Sequence, residues 1–221
     1  MAHPAQAEFI SKVREFYPQA FSGARVLEVG SLDINGSVRE LFHNCDYTGA
    51  DLQLGLGVDL ACQGQLLEFP SNSFDTAISA ECLEHNPYWR ETLGNMLRMT
   101  KPNGLILITC ATTGRKEHGT TRTNPDASPF TTAANWDYYH NLTAREIEAA
   151  LNLSGWLNDW RTWVNHISKD LYFVGITQGK GERLNEQMCQ QLDARYAMTA
   201  SVKAFRRGIR TKIIGDWLLR P

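Results

Sequence analysis

The chain has no C-x-x-C pair, although it carries 5 cysteines. Cys45, Cys62, Cys82, Cys110 and Cys189 are scattered, which excludes a zinc-ribbon pattern and a disulfide framework and predicts reduced thiols in the cytoplasm. No run approaches the ~20 apolar residues of a membrane span, and the first residues lack the apolar core of a secretory signal. There is no excess of charge. Lys and Arg number 22 against 24 Asp and Glu, a net charge of −2. This disfavours a general nucleic-acid groove, though not a local basic patch. Internal repeats and low-complexity tracts are absent too. What is present is 43% hydrophobic residues over 221 positions, enough for one globular domain with an appendage.

Glycines are missing where they would be diagnostic. Val26-Leu27-Glu28-Val29-Gly30 reads as a buried strand ending in Glu-x-Gly, followed by the loop Ser31 to Gly36. A dinucleotide loop reads G-x-G-x-x-G, but Leu32 and Asn35 occupy its second and third glycine positions. A phosphate-cradling G-x-x-x-x-G-K-[ST] loop fails as well, because Gly30 and Gly36 are one residue too far apart and Ser37-Val38 follows. What remains is a loop for a ligand without phosphate, with an acid at its root. S-adenosylmethionine, a sulfonium with an amino-acid tail, fits that description. Ser37 and Glu40 have capping-box spacing and predict that a helix begins there.

Further elements alternate in the manner of a parallel sheet covered by helices on both faces. Residues 4–17 predict an amphipathic helix that covers the cofactor cleft or packs on the sheet. Asp46–Asp51 reads as a second strand ending in an acid about 20 residues after Gly30, where an acid can bond ribose hydroxyls. Residues 58–62 read as a third strand and 70–80 as a turn and a buried fourth strand, which Asp75 starts and which runs into Glu81-Cys82-Leu83-Glu84-His85. A Pro102-Asn103-Gly104 turn precedes a fifth strand. Thr143 and Glu146 form a second capping box, opening a helix to about Leu153, and two strands follow at 156–164 and 170–177.

These pieces resemble the class I S-adenosylmethionine-dependent methyltransferases, in particular their type 11 subgroup. The matching segments are V-L-E-V-G-S, Asp51, F-P-S-N-S-F-D-T-A-I-S, E-C-L-E-H and L-R-M-T-K-P-N-G-L-I-L-I-T. The resemblance is close over about residues 24–112 and continues by element order to about 178. It implies a Rossmann-like α/β sheet of order 3-2-1-4-5-7-6 with strand 7 antiparallel. It also implies a methyltransferase domain at 1–180, while residues 181–221 read by composition as a separate helical extension. The glycine-rich loop keeps only its first glycine, Gln63 and Gly64 stand where an adenine-contacting acid is usual, and Asn103 replaces a glycine.

The expected cofactor residues are Glu28 near the amino-acid tail, Gly30 by close backbone approach, Ser31 and Asn35 in the loop, Asp51 on the ribose, Gln63 and Gly64 near adenine, and Glu81. Residues 111–142 have no clear period yet carry aromatics. They leave the carboxyl edge of the sheet and read as a lid over the methyl acceptor. His85 is the first general-base candidate because its ordinary pKa suits neutral pH. His118, Tyr138, Tyr139 and His140 are lid candidates, while His3, His43 and His166 read as surface or packing residues. Pro87 is expected at the first position of a helix. No Asp/Asp-Asn set is present, so no catalytic metal is expected.

The acceptor is expected to be a small polar molecule, with a hydroxyl of a sugar or glycan precursor as the first choice. The alternatives are a non-catalytic S-adenosylmethionine-binding protein acting through its C-terminal helices, and a nucleic-acid methyltransferase, for which Asn86-Pro87-Tyr88-Trp89 is one proline short. In residues 200–219, Val202, Phe205, Ile209, Ile213 and Trp217 make an apolar stripe beside Lys203, Arg206, Arg207, Arg210 and Lys212. Such a helix suits packing on the domain, a homodimer contact or an anionic membrane surface.

Overall fold

The computed structural model describes residues 3–197. The strands are β1 (Arg25–Val29), β2 (Asp46–Asp51), β3 (Leu60–Ala61), β4 (Phe74–Ala80), β5 (Thr100–Ala111), β6 (Leu157–Asn165) and β7 (Asp170–Thr177). The helices are α1 (Pro4–Phe16), α2 (Trp89–Met99), α3 (Pro129–Ala133), α4 (Ala144–Ala150), α5 (Leu153–Trp156) and α6 (Glu186–Tyr196). The strands form one sheet in the order β3-β2-β1-β4-β5-β7-β6. β1 to β5 run parallel, and β7 is antiparallel to both β5 and β6. This is the sheet that the resemblance implied.

Side chains alternate across the sheet with a period of two, which divides the core. Val26, Ile78, Leu105 and Leu107 face α1 and α6, where Phe9, Ile10, Val13, Met188 and Leu192 are buried. Leu27, Ala77, Ile106 and Ile108 face the side carrying α2 and α4, where Trp89, Leu93, Met96 and Ile147 are buried. Phe9 stacks on Tyr172 of β7 with ring centroids 4.3 Å apart. α1 therefore packs on the sheet, and its N-terminal turn also reaches the functional edge through Gln6, as described below.

Three local expectations are corrected. No α-helix starts at Ser37. The segment makes only a 3₁₀ turn at Arg39–Leu41, and Ser37 Oγ accepts the amide of Arg39 at 3.1 Å. Asn44 adopts a positive φ of 54°. That leaves too few residues to repay the cost of nucleating a helix. Stacked Phe21 and Phe42, 4.5 Å apart, cover this part of the sheet instead. The third strand is shorter than expected because Asp59 is used in a turn, accepting the amide of Gly49 at 2.8 Å and pairing with Arg39. Pro87 is not the first helical residue, since α2 begins at Trp89 after Tyr88.

Other expectations hold locally. Thr143 and Glu146 form the reciprocal capping box that opens α4. Asn103 takes a left-handed φ of 58°, a conformation that Asn enters more easily than most residues. Asp75 is structural, accepting from the Arg25 amide and the Lys101 ammonium. α6 packs against β6 and α1 through Asp193 with Arg161 and Trp163, and through Arg195 with Glu8. Among the described residues no helix is long and apolar enough to cross a membrane. The stripe at 202–217 lies outside the described residues.

Candidate active site

β1 delivers Gly30 to the carboxyl edge of the sheet with φ +85°. A side chain there is impossible without rearrangement, because a Cβ would sit 2.3 Å from the Cys82 Cβ. β2 ends beside it in Asp51, whose carboxylate accepts the amides of Leu32 at 3.0 Å and Leu52 at 2.7 Å. Burial nonetheless raises the Asp51 pKa above its usual value. Gly30, Leu32, Ile34 and Asp51 line a small cavity of about 40 Å³, closed from above by Ser128, Pro129 and Phe130 of the lid.

β4 delivers Glu81, which holds a left-handed φ of 48°. Such a backbone costs of order 1–3 kcal/mol in a residue other than glycine and is kept where surroundings enforce it. Here the Glu81 amide donates to Thr109 O at 2.9 Å, Gln6 of α1 donates to its carboxylate, and Arg115 lies 3.4 Å from Oε2. Arg115 also pairs with buried Asp170 at 3.0 Å, and His3 reaches Asp170 at 3.1 Å. Burial raises the Asp170 pKa, but the bonds from His3 and Ser168 and the nearby charges outweigh it and hold the carboxyl below its usual range.

Glu81 is a wall of two cavities. It lines the small one, and it lines a larger cavity of about 540 Å³ with His3, Asn35, Arg115, Lys116 and His118. The larger space is bordered by cations, carboxylates and amides, an environment for a polar molecule rather than an apolar one. Burial, together with the charges of Glu84 and Asp170, pushes the Glu81 pKa well above normal.

The 3₁₀ turn Leu83–His85 sets two more ionisable groups below the lid. Glu84 accepts the Ala111 amide at 2.9 Å, and burial raises its pKa to about 7. Burial and then the neighbouring His118 lower the His85 pKa to about 3. The His85 ring meets His118 at 5.0 Å and Tyr139 at 5.3 Å. Gly119, with φ +65°, admits this contact, since a Cβ there would fall 2.7 Å from His85 Cε1.

The expected site residues are thus brought together in part. Gly30, Asp51, Glu81 and His85 line the small cavity, and Asn35, Glu81 and His118 line the larger one. Ser31 is buried behind the loop with its Oγ unpartnered. Glu28 lines neither cavity. Strand alternation turns it to the α1 face, where it accepts the Tyr47 hydroxyl at 2.8 Å. Gln63 and Gly64 line neither cavity either. Gln63 accepts from Gln65, and Gly64 packs tightly on Thr92 and Val29. Tyr138 packs against the α2-side core, so Tyr139 is the tyrosine beside the histidines. His140 is engaged with Glu146 at 2.7 Å. His3, expected at the surface, borders the larger cavity.

Sequence reasoning passed over Arg115, Glu84 and Phe130. The pair Glu81 and Glu84, three apart and directly after a buried strand, was the available signal for one of them. Nothing in the irregular lid marked the others.

A family model described as a methyltransferase domain matches residues 1–163. No curated protein matches significantly. Among solved structures, the chain is similar to Burkholderia thailandensis 1,6-didemethyltoxoflavin-N1-methyltransferase with bound 1,6-didemethyltoxoflavin and S-adenosylhomocysteine. That match has 16% identity and a TM-score of 0.53, covering 77% of this chain and 78% of that one. A second is Haemonchus contortus phosphoethanolamine N-methyltransferase 2 in complex with S-adenosylmethionine, at 15% identity and TM-score 0.55, covering 78% of this chain but only 52% of that one. A third is the [4+2]-cyclase SpnF, at 17% identity and TM-score 0.51, covering 80% and 83%. At these identities the likeness shows the fold, and the cyclase shows that one fold hosts more than one chemistry.

Proposed function

Because the chain belongs to the methyltransferase-domain family, whose cofactor is S-adenosylmethionine, we propose that it methylates a small polar acceptor held in the larger cavity. A hydroxyl of a sugar or glycan precursor is the first candidate. The observation that carries this reading is the shared wall at Glu81. It separates the Gly30–Asp51 cavity, suited to the cofactor, from a 540 Å³ polar space suited to the acceptor.

The residues present fit the cofactor. Gly30 carries no side chain, which lets a ligand approach its backbone closely, and the Asp51 carboxylate edges the cavity where ribose hydroxyls need an acceptor. Pro129 and Phe130 line the same cavity, so the lid would border the bound cofactor. When bound, S-adenosylmethionine supplies an electrophilic methyl for in-line displacement. The protein then positions the acceptor and excludes water, which is the work of the lid. A hydroxyl acceptor must also lose a proton. With a pKa of about 3, His85 is too weak a base for this at neutral pH. Tyr138 lies outside both cavities, and His118 borders the larger one.

Calorimetric titration with S-adenosylmethionine and S-adenosylhomocysteine, with NADH as control, tests the reading. Micromolar binding of the sulfonium pair is expected. Asp51→Ala should weaken it by about 10- to 100-fold, the usual worth of hydrogen bonds to a charged group. Failure of either compound to bind would sink the proposal.

A further inference from the structure

Below the lid, where His85 lines the small cavity, two neighbouring residues hold polar atoms without the partners their burial demands. Glu84 is 0% exposed and His85 2% exposed. Glu84 Oε1 accepts the Ala111 amide, but Oε2 has no partner, and neither His85 Nδ1 nor Nε2 has one. A buried polar atom left unsatisfied costs about 1–3 kcal/mol, and more when charged. Several such atoms in adjacent residues require an explanation, and a bound ion is one of the standard ones.

His118 approaches the same place from the lid. Its ring stands nearly perpendicular to His85, 5.0 Å away. Its Nδ1 lies 3.0 Å from Lys116 O, so Nε2 is the nitrogen left to face a ligand. A backbone carbonyl that fixes one nitrogen and frees the other is the usual support of a metal-binding histidine. One oxygen of Glu84 and one nitrogen each of His85 and His118 lie within 4.8 Å of one another. Three such atoms holding one ion would each lie about 2.0–2.2 Å from it.

We propose that Glu84, His85 and His118 form a site for one first-row divalent transition-metal ion, set between the small cavity that His85 lines and the larger one that His118 lines. The donor set fixes the class. Two imidazoles and a carboxylate suit manganese, iron, cobalt or zinc, whereas magnesium and calcium prefer all-oxygen shells. A second trio, His3, Glu81 and Asp170, is equally compact, but the Arg115 guanidinium already lies against both carboxylates and serves as their cation. The Asp/Asp-Asn pattern is therefore not the one this chain uses.

Three protein ligands leave coordination positions for substrate oxygen. The ion's role in methyl transfer rests on the methyltransferase reading above, but its binding does not. An acceptor hydroxyl on the ion loses its proton to water in the larger cavity. The oxygen lone pair then forms the C–O bond, and the electrons of the breaking C–S bond stay on sulfur, leaving a neutral thioether. An ion so placed would make the bound hydroxyl more acidic, the task otherwise left to a general base.

The test uses the full chain stripped with chelator and titrated separately with Mn²⁺, Co²⁺, Zn²⁺ and Mg²⁺, with Co²⁺ also followed by visible absorption. One transition-metal ion per chain is expected at micromolar affinity or better, with Mg²⁺ at least tenfold weaker. Half-exposed His118 is the safer ligand to remove. His118→Ala should keep the melting temperature, weaken metal binding by about 10- to 100-fold and change the Co²⁺ spectrum, and Glu84→Gln should repeat the loss. Absence of stoichiometric binding, or binding indifferent to both substitutions, would overturn the site. S-adenosylmethionine titration of the same stripped samples separates the two readings. Cofactor binding without metal binding overturns the ion alone, and metal binding without cofactor binding supports the ion while sinking methyl transfer.

Discussion

The carboxyl edge of the sheet is built from two different materials. The Gly30–Asp51 side is mostly backbone: a glycine turn whose amide donates to Ala50 O, amides fixed by Asp51, and a carboxylate held in place by two peptide N–H groups. The Glu84–His85–His118 side is side chain: buried ionisable groups, part of their hydrogen-bonding capacity unused, under an irregular lid. A backbone site is set by strand register and tolerates little change of shape. A side-chain site is set by packing and can change its chemistry through one residue. That division suits a protein whose cofactor is common to its family while the acceptor is particular to the chain.

Substitution of the backbone side should have the largest effect. Gly30→Ala places a Cβ against Cys82 and forces an alanine into φ +85°. The conformational cost alone is of order 1–3 kcal/mol. Cofactor binding should fall at least 100-fold, and the denaturation midpoint should drop, as measured by calorimetry and urea unfolding. Cys82→Ala cannot rescue it, since the Cβ at 2.3 Å remains and the φ is unchanged. An alanine variant that binds the cofactor normally would remove the distinction between the two sides.

Gly119→Ala is the matching change on the side-chain side. The new methyl would meet Ser128 Cβ at 2.6 Å and His85 Cε1 at 2.7 Å, again at positive φ. The lid should lift from His85 and His118. Metal affinity or turnover should fall roughly tenfold, of the order seen when the support of a ligand is lost, while cofactor affinity stays within about threefold. Equal losses on both sides would mean that the two halves of the edge behave as one.

The backbone side was also the more legible in sequence. Apolar runs gave the strands, and strand ends gave Gly30, Asp51 and Glu81, because ligands in open α/β sheets lie at those ends. The helix expected at Ser37 was misread because a capping box marks a start but says nothing of length, and Asn44 ends the segment almost at once. Glu28 was misplaced for a different reason. As the residue after Leu27, which faces α2, it had to face α1, and there Tyr47 on the neighbouring strand meets it. Across the lid no period exists, so Tyr138 and Tyr139 could not be told apart, and Arg115 and Phe130 carried no mark at all. His85 was singled out as a base, but a motif cannot report that burial lowers its pKa to about 3.

Glu28 supplies the smallest of the expected effects and tests whether it belongs to the site or to the sheet. Burial raises its pKa, and the Tyr47 hydroxyl bond only partly offsets this. A carboxyl whose folded pKa exceeds its unfolded value, ordinarily about 4.3, binds more protons in the folded state between those two values. Stability therefore falls as pH rises through that window and remains lower above it. Glu28→Gln keeps an oxygen for the Tyr47 hydroxyl but does not titrate. Its unfolding free energy, measured in urea from pH 4 to pH 8, should lose this share of the decline whatever its absolute level. Cofactor affinity should change by less than about threefold, because Glu28 lines neither cavity. A pH profile identical to wild type together with a tenfold loss of cofactor affinity would return Glu28 to the binding side of the edge.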